Sequence, residues 1–197
     1  ALTHGHELGY IPAAMLVHII LRISEYGDTI LEAVKDAMCM MPSIFPKAKH
    51  MDELLTLIQK AIVLSEEGMD DLDAIRQLGE GWVAEETLVI AVYCALKYSD
   101  DFEKGIIAAV NHDGDSDSTG AVAGNILGAA LGIDAIPQKY LNDLELKDII
   151  LEIAEDLHHD CQIAEYGPWD HLWESKYIEM SYKKDDSTAS HRMEREK

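Results

Sequence analysis

Residues 109–132, AVNHDGDSDSTGAVAGNILGAALG, decide the fold predicted for this chain. Glycine recurs at every fourth position of this stretch, at Gly120, Gly124, Gly128 and Gly132. Residues four apart share one helix face, so the spacing predicts a helix over residues 119–133 with a close-packing face that includes Gly124 and Gly128. A bilayer span needs about 20 apolar residues, and Asn125 interrupts this shorter run, so we do not expect a membrane helix here.

Apolar residues spaced three and four apart recur along the whole chain, whereas strand-type alternation is hard to find. The predicted fold class is therefore all-α. The pattern predicts helices over residues 12–27, 29–41, 51–68, 84–97 and 146–157. Every residue from Leu88 to Leu96 is apolar, Tyr or Cys, which predicts a central position for that helix. We expect one domain over residues 1–182, followed by a polar, disordered tail over residues 183–197.

The chain is strongly acidic, because 37 Asp and Glu against 16 Lys and Arg leave a formal charge of −21 on 197 residues. With 48% hydrophobic residues it is not a disordered acidic tail. Nucleic acids and anionic membranes are bound by concentrated Lys and Arg, so we expect neither as a partner. Cys39, Cys94 and Cys161 are odd in number and lie among apolar residues, which predicts reduced, buried thiols in a cytoplasmic protein.

An acidic segment directly precedes the glycine-rich helix, with carboxylates at Asp113, Asp115 and Asp117 and hydroxyl groups beside them. Hard oxygen donors of this kind suit Mg²⁺, Mn²⁺ or Ca²⁺ better than metals that prefer thiolate. An elaborate helix cap is the alternative, although capping needs only one Asp. An EF-hand is excluded by spacing, because counting from Asp113 puts Ser118 where the loop needs Gly and Gly124 where it needs Glu.

Residues 109–132 resemble the C-terminal metal motif of the ADP-ribosylglycohydrolases. Two other segments resemble the same family in the same order, namely LTHGH with LGY within residues 2–10 and LGEGW leading into AEE within residues 78–86. The resemblance implies an all-α, orthogonal multi-helix bundle with two divalent cations, usually Mg²⁺, at an ADP-ribose site. It also implies a hydrolase that releases ADP-ribose from a modified protein side chain or a small molecule.

Residue by residue, the resemblance implies a set of metal-binding positions and a set of substrate-binding positions. The metal-binding positions are Asp115, Asp117 and Ser118, with the Ser118 hydroxyl in the place of a threonine. The substrate-binding positions are His4, Gly81 and Trp82. Asp113 stands where the family often has Gly, so it either supports the metal ligands or only adds charge.

Family members also carry an N-terminal half with a Thr/Ser-Asp-Asp-Thr motif that supplies further metal ligands, and nothing in residues 1–197 matches it. The similar letters of Ser99, Asp100 and Asp101 lie one helix before the acidic segment, so we interpret them as a helix cap. We therefore expect the C-terminal portion of a longer enzyme, which needs the N-terminal half as a partner and is inactive by itself.

Two other functions stay open. A degenerate family member would bind ADP-ribose or metal without turnover, and product formation would distinguish the two cases. A zinc hydrolase would use either the pair His4 and His6 or the set His158, His159 and Cys161. Such groupings arise by chance among 9 histidines, and the sequence has no His-Glu-x-x-His motif. Stoichiometric zinc retained after dialysis would favour this alternative.

Overall fold

A computed structural model of the chain describes residues 3–158 and 174–179. Over these ranges the backbone is helical or irregular and contains no strand, which confirms the all-α prediction. The chain divides into two compact units, Ala1–Asn142 and Asp143–Lys197. The domain end at residue 182 and the tail over residues 183–197 lie outside the described residues, so both stay predictions.

Helix α5 lies at the centre of the first unit. The helices of this unit are α1 (Glu7–Tyr26), α2 (Ile30–Ile44), α3 (Met51–Glu66), α4 (Asp71–Leu78), α5 (Ala84–Lys97), α6 (Phe102–Val110), α7 (Ser116–Leu131) and α8 (Gln138–Leu141). α5 packs against α1, α3, α4, α6 and α7. All its residues from Leu88 to Ala95 are buried, as its continuous apolar sequence predicts.

Helix α1 begins earlier than its proline suggests. We expected Pro12 at the first helical position, but the helix starts at Glu7, so Pro12 lies inside it. The Nδ1 atom of His6 accepts the Leu8 N–H at 3.3 Å and caps this earlier start. The predicted end is confirmed, because Gly27 adopts the left-handed conformation with φ of 73°.

By length and composition alone, α1 is apolar enough to cross a membrane. Three of its apolar side chains, Ile11, Met15 and Ile19, are nonetheless completely buried within the bundle. A core helix passes the same compositional test, so the absence of a membrane partner stays a prediction.

Helix α2 also continues past the proline that we expected to end it. It begins with a capping box between Thr29 and Glu32 and extends to Ile44, with Pro42 inside. A proline removes one backbone donor but does not always end a helix that packing supports. Among the cysteines, Cys94 is buried as predicted, whereas Cys39 is exposed, which corrects that prediction. Cys161 lies outside the described residues.

The glycine-rich helix packs closely, but not where we expected. A Cβ atom added at Gly128 would meet nothing within 4 Å, so the predicted packing role of Gly128 is wrong. At Gly124 it would lie 3.6 Å from Ile106, which is ordinary contact. At Gly120, by contrast, it would lie 2.4 Å from the Val110 Cγ1 atom. α7 therefore approaches α6 closely at Gly120, near the acidic segment, and again near Leu127, where a Cβ atom added at Gly105 of α6 would lie 2.4 Å from the Leu127 Cδ1 atom.

A partly buried polar network joins α4 to α5. The carboxylate of Asp71 accepts hydrogen bonds from Lys97 Nζ and Tyr93 Oη at 2.7 Å each, and from Tyr98 Oη at 2.8 Å. Burial opposes ionisation of this carboxyl, but these three donors hold the pKa of Asp71 below its ordinary value. The network fixes the two helices on either side of the segment over residues 79–83.

The second unit contains α9 (Lys147–His158) and a short π-helical turn (Glu174–Ile178). α9 confirms the helix predicted over residues 146–157. Lys176 Nζ donates to Glu152 at 2.6 Å and also to Asp156, which joins the turn to the polar side of the helix.

Candidate functional site

Two loops that are far apart in sequence meet in the first unit. We call residues 79–83, between α4 and α5, the glycine turn. We call residues 111–118, which comprise the segment before α7 and the first three residues of α7, the acidic loop. The Asp115 N–H donates to the Glu80 carbonyl oxygen at 2.8 Å. This hydrogen bond brings together two of the three segments that carry the family resemblance.

The two loop backbones touch because glycine stands at the point of contact. A Cβ atom at Gly114 would lie 1.8 Å from the Glu80 carbonyl oxygen, far inside van der Waals contact. Gly81 is buried, has φ of +83°, and would place a Cβ atom 2.9 Å from Thr119 Cγ2. Side chains at either position would push the loops apart.

Hydrogen bonds from α5 hold the glycine turn. The Oε2 atom of Glu86 accepts the Glu80 N–H at 3.1 Å and the Gly81 N–H at 3.0 Å. The Thr87 hydroxyl donates to the Gly81 carbonyl oxygen at 2.8 Å. The backbone of the glycine turn is therefore hydrogen-bonded both to side chains of α5 and to the backbone of the acidic loop.

His112 and Thr119 hold the acidic loop from within. His112 Nδ1 accepts the Gly114 N–H at 3.1 Å, and its Nε2 lies 2.8 Å from the Thr119 hydroxyl. Thr119 is fully buried and donates to the Ala109 carbonyl oxygen at 2.7 Å. Since Nδ1 acts as an acceptor, the proton of the neutral ring lies on Nε2, which donates to Thr119. The imidazole thus bridges the loop to the start of α7.

The three predicted metal-binding positions converge at the end of the acidic loop. The pKa of Asp115 lies below its ordinary value, first because of the neighbouring Asp117 side chain and next because of the Ser118 hydroxyl. Asp115 occupies the N-cap position of α7, yet its side chain makes no cap hydrogen bond.

The chemistry of this donor set fits a small hard cation. Two carboxylates and one hydroxyl offer only oxygen atoms, which Mg²⁺ and Mn²⁺ prefer. Octahedral coordination needs about six donors, so these residues supply roughly half of one site. Within residues 3–158 and 174–179, no group of three or more His, Cys, Asp or Glu side chains is arranged to hold a metal. Further ligands must therefore come from water, substrate or other protein groups.

The predicted substrate-binding residues divide into two groups. Gly81 and Trp82 lie in the glycine turn, where the Trp82 ring is 65% exposed and its Nε1 donates to Glu80 Oε2 at 2.9 Å. His4 instead contacts Thr3 and Gly9 at the start of α1. The described contacts do not connect His4 to either loop, so its role stays a prediction.

The zinc alternative receives little geometric support from the described residues. His6 uses Nδ1 to accept the Leu8 N–H, which puts its ring proton on Nε2, the atom that would have to bind a metal. His159 and Cys161 lie outside the described residues, so the second zinc grouping is untested.

Sequence reasoning missed four residues that build this site, namely Glu86, His112, Gly114 and Thr119. The signal for Gly114 was available, because a glycine between two aspartates commonly marks a tight turn. The others act in part through contacts between residues five to ten positions apart, from Glu86 to Glu80 and Gly81, from His112 to Thr119, and from Thr119 to Ala109. No local pattern indicates such contacts.

Residues 1–166 match the protein family described as ADP-ribosylglycohydrolase. Human ADP-ribosylhydrolase ARH3 is 25% identical over 188 residues, which cover 82% of this chain and 50% of the human protein. The Danio rerio ADP-ribosylhydrolase ARH3 is 28% identical over 185 residues, covering 80% of this chain and 48% of that protein.

A shorter match has a higher identity. The ADP-ribosyl-dinitrogen reductase glycohydrolase of Rhodospirillum rubrum is 45% identical over 49 residues, which are 25% of this chain and 17% of that protein. The chain spans about half the length of the ARH3 relatives that it matches. No solved structure matches it at a significant level.

Proposed function

Because the chain belongs to the ADP-ribosylglycohydrolase family, we propose that it forms part of the active site of a Mg²⁺-dependent hydrolase. The proposed reaction cleaves the glycosidic bond between ADP-ribose and a modified protein side chain or small molecule. The observation that carries the proposal is the contact of the acidic loop with the glycine turn. It puts the oxygen donors of Asp115, Asp117 and Ser118 next to the turn that bears Trp82.

In this proposal, Asp115, Asp117 and Ser118 hold Mg²⁺, with Mn²⁺ as a possible substitute. The bound cation would offset substrate charge, orient the ribose hydroxyls and polarise water. Charge compensation matters here, because a chain with a net charge of −21 would otherwise repel a pyrophosphate. The structure supports a partial donor set, and the family resemblance supports a two-metal site in the complete enzyme.

The glycine turn would form the substrate-binding side. Trp82 offers an exposed aromatic face, and its hydrogen bond to Glu80 restrains the ring. An aromatic face that is both exposed and restrained can stack on a nucleotide base at low entropic cost. Gly81 is buried, so its proposed part is to let the turn that carries Trp82 close against Thr119. His4 stays a proposed substrate contact.

We further propose that the complete enzyme needs more protein than these 197 residues. Three oxygen ligands are too few for a two-metal site, and the curated relatives are about twice as long as the region that they share with this chain. The N-terminal half of the same enzyme is the proposed partner, and the isolated chain is then inactive. A cytoplasmic location and the absence of nucleic-acid and membrane partners belong to the same proposal.

Turnover by the complete protein tests this proposal. With an ADP-ribosylated protein and Mg²⁺, it should release free ADP-ribose, whereas the isolated 197-residue chain should not. A non-catalytic ADP-ribose or metal-binding module is the alternative. That alternative is favoured if the complete protein binds ADP-ribose tightly but releases none from modified substrates. Equal release by the isolated chain would contradict the proposed need for the N-terminal half.

Trp82→Ala should weaken ADP-ribose binding by about tenfold, because base stacking on an aromatic ring contributes about 1–3 kcal/mol. The free energy of unfolding should change by no more than about 0.5 kcal/mol, since the ring is mostly exposed. Trp82→Phe keeps an aromatic face and is the matched control, with affinity close to that of the wild type. Calorimetric titration with ADP-ribose measures the affinity of both variants. Unchanged affinity in the alanine variant would remove Trp82 from the substrate site.

A further inference from the structure

We infer that Glu86 is a positioning residue that sets the place of Asp115 by holding the glycine turn. The inference rests on the proposed function, because Asp115 matters here as a predicted metal ligand. Glu86 itself lies on α5 and is not one of the three predicted metal ligands. Its influence would pass through the backbone of Glu80.

The first step is the contact between Glu86 and the turn. One carboxylate oxygen accepts both the Glu80 and the Gly81 N–H, at 3.1 and 3.0 Å. The carboxyl also fills the space beside Gly79, where an added Cβ atom would lie 2.4 Å from Glu86 Cδ. Gly79 has φ of +135°, a conformation that favours glycine. The turn is thus folded around this carboxylate.

The second step is the contact between the turn and the acidic loop. Glu80 uses its N–H for Glu86 and its carbonyl oxygen for the Asp115 N–H, at 2.8 Å. The same carbonyl oxygen abuts Gly114, where no side chain fits. A shift of the Glu80 backbone must therefore move the backbone of Asp115, and with it the carboxylate.

Ordinary helix capping does not explain the direction of the Glu86 side chain. Glu86 is the third residue of α5, and a carboxylate at that position usually returns to the backbone N–H of the N-cap residue. The N-cap residue here is Val83, and its side chain makes no cap hydrogen bond. Glu86 extends beyond Val83 to residues 80 and 81. Its hydrogen bonds thus serve the turn rather than the end of its own helix.

The adjacent Glu85 provides a matched control. It carries the same charge in the same helical turn, yet the Glu80 and Gly81 N–H groups both bond to Glu86. Removing either carboxylate lowers the negative charge near the site equally. A difference between the two variants therefore reports the hydrogen bonds and not the charge.

The test compares Glu86→Ala, Glu86→Met and Glu85→Ala in the complete protein. We measure hydrogen exchange of the Asp115 amide, Mg²⁺ affinity by calorimetry, and helix content by circular dichroism. Both Glu86 variants should exchange the Asp115 amide at least about tenfold faster and bind Mg²⁺ about tenfold more weakly, because residues that orient metal ligands carry effects of this size. Glu85→Ala should stay within about twofold of the wild type.

The outcomes separate this inference from the proposed function. If the Glu86 variants keep wild-type exchange at Asp115, or exchange faster but keep full Mg²⁺ affinity, the inference is overturned and the proposed function stands. If the wild type binds no Mg²⁺, the proposed metal site fails, and Asp115 exchange still decides whether Glu86 positions the loop. Glu86→Met fills the space without an acceptor oxygen, so it gives the same test if Glu86→Ala does not fold. Glu86→Gln, which keeps an acceptor oxygen, should restore slow exchange.

Discussion

Gly114→Ala should separate the two loops of the candidate site and abolish measurable Mg²⁺ binding by the complete protein. The added methyl carbon would lie 1.8 Å from the Glu80 carbonyl oxygen, and a backbone atom cannot turn aside as a flexible side chain can. To remove this clash, the backbone of either the glycine turn or the acidic loop must move. That movement also breaks the hydrogen bond between Asp115 and Glu80. Overpacking of this kind costs about 3 kcal/mol. We therefore expect the melting temperature of the complete protein to fall by about 3–6 °C, because relatives of the complete protein are about twice as long as the region that they share with this chain.

Gly128→Ala is the matched control, because a Cβ atom there meets nothing within 4 Å. Alanine is the better helix former by up to about 1 kcal/mol, so this variant should be as stable as the wild type or slightly more stable. Differential scanning calorimetry and Mg²⁺ titration of both variants give the comparison. If Gly114→Ala melts with the wild type and binds Mg²⁺ normally, the close approach of the loops is not needed for the site.

The longer helices and the central helix could be predicted from sequence because both depend on local apolar spacing, whereas the short helices α4 and α8 were not predicted. The continuous apolar run from Leu88 to Leu96 predicts a helix surrounded by others, and α5 occupies that position. Asp101 was interpreted as a cap, and its side chain does accept the Lys104 N–H. Both the apolar run and the cap can be recognised from neighbouring residues in the sequence.

Helix boundaries near proline and the packing of glycine were predicted poorly, because both depend on tertiary contacts. Pro12 and Pro42 lie inside helices that the bundle supports, although proline is unfavourable there by itself. Likewise, the four-residue spacing of glycine indicates one helix face but not which part of it meets a neighbour. Val110 lies opposite Gly120, and Gly128 has no such neighbour.

The site was predictable as a set of residue types but not as an arrangement. Alternating carboxylates at Asp115 and Asp117 indicate a metal-binding loop because their chemistry is local. The contact of that loop with Glu80 joins residues 35 positions apart, and no spacing within either segment indicates it. For His4, the family motif implies contact with the substrate, but the described contacts do not bring His4 to either loop.

Asp115→Asn should weaken Mg²⁺ binding to the complete protein by at least about 100-fold. The amide keeps the shape of the side chain but removes the negative charge that a hard cation needs. The loss should exceed the 10- to 100-fold typical of residues that only orient a ligand. Helix content should stay close to that of the wild type, because the Asp115 side chain makes no cap hydrogen bond to α7.

Asp113→Asn is the matched control for this charge change. Asp113 belongs to the same loop and is exposed, and it is not one of the groups that lower the pKa of Asp115. We expect Mg²⁺ affinity to change by less than about threefold. A larger loss would mean that Asp113 supports the metal ligands, which is the other interpretation of its position in the loop.

Calorimetric titration of Mg²⁺ into the wild-type complete protein and its Asp115→Asn variant, at the same pH and salt, tests the proposed metal site most directly. We predict saturable binding by the wild type and no measurable binding by the variant at the same protein concentration, with equal helix content in both. Equal Mg²⁺ affinities in the two proteins would contradict the assignment of the acidic loop as the metal site.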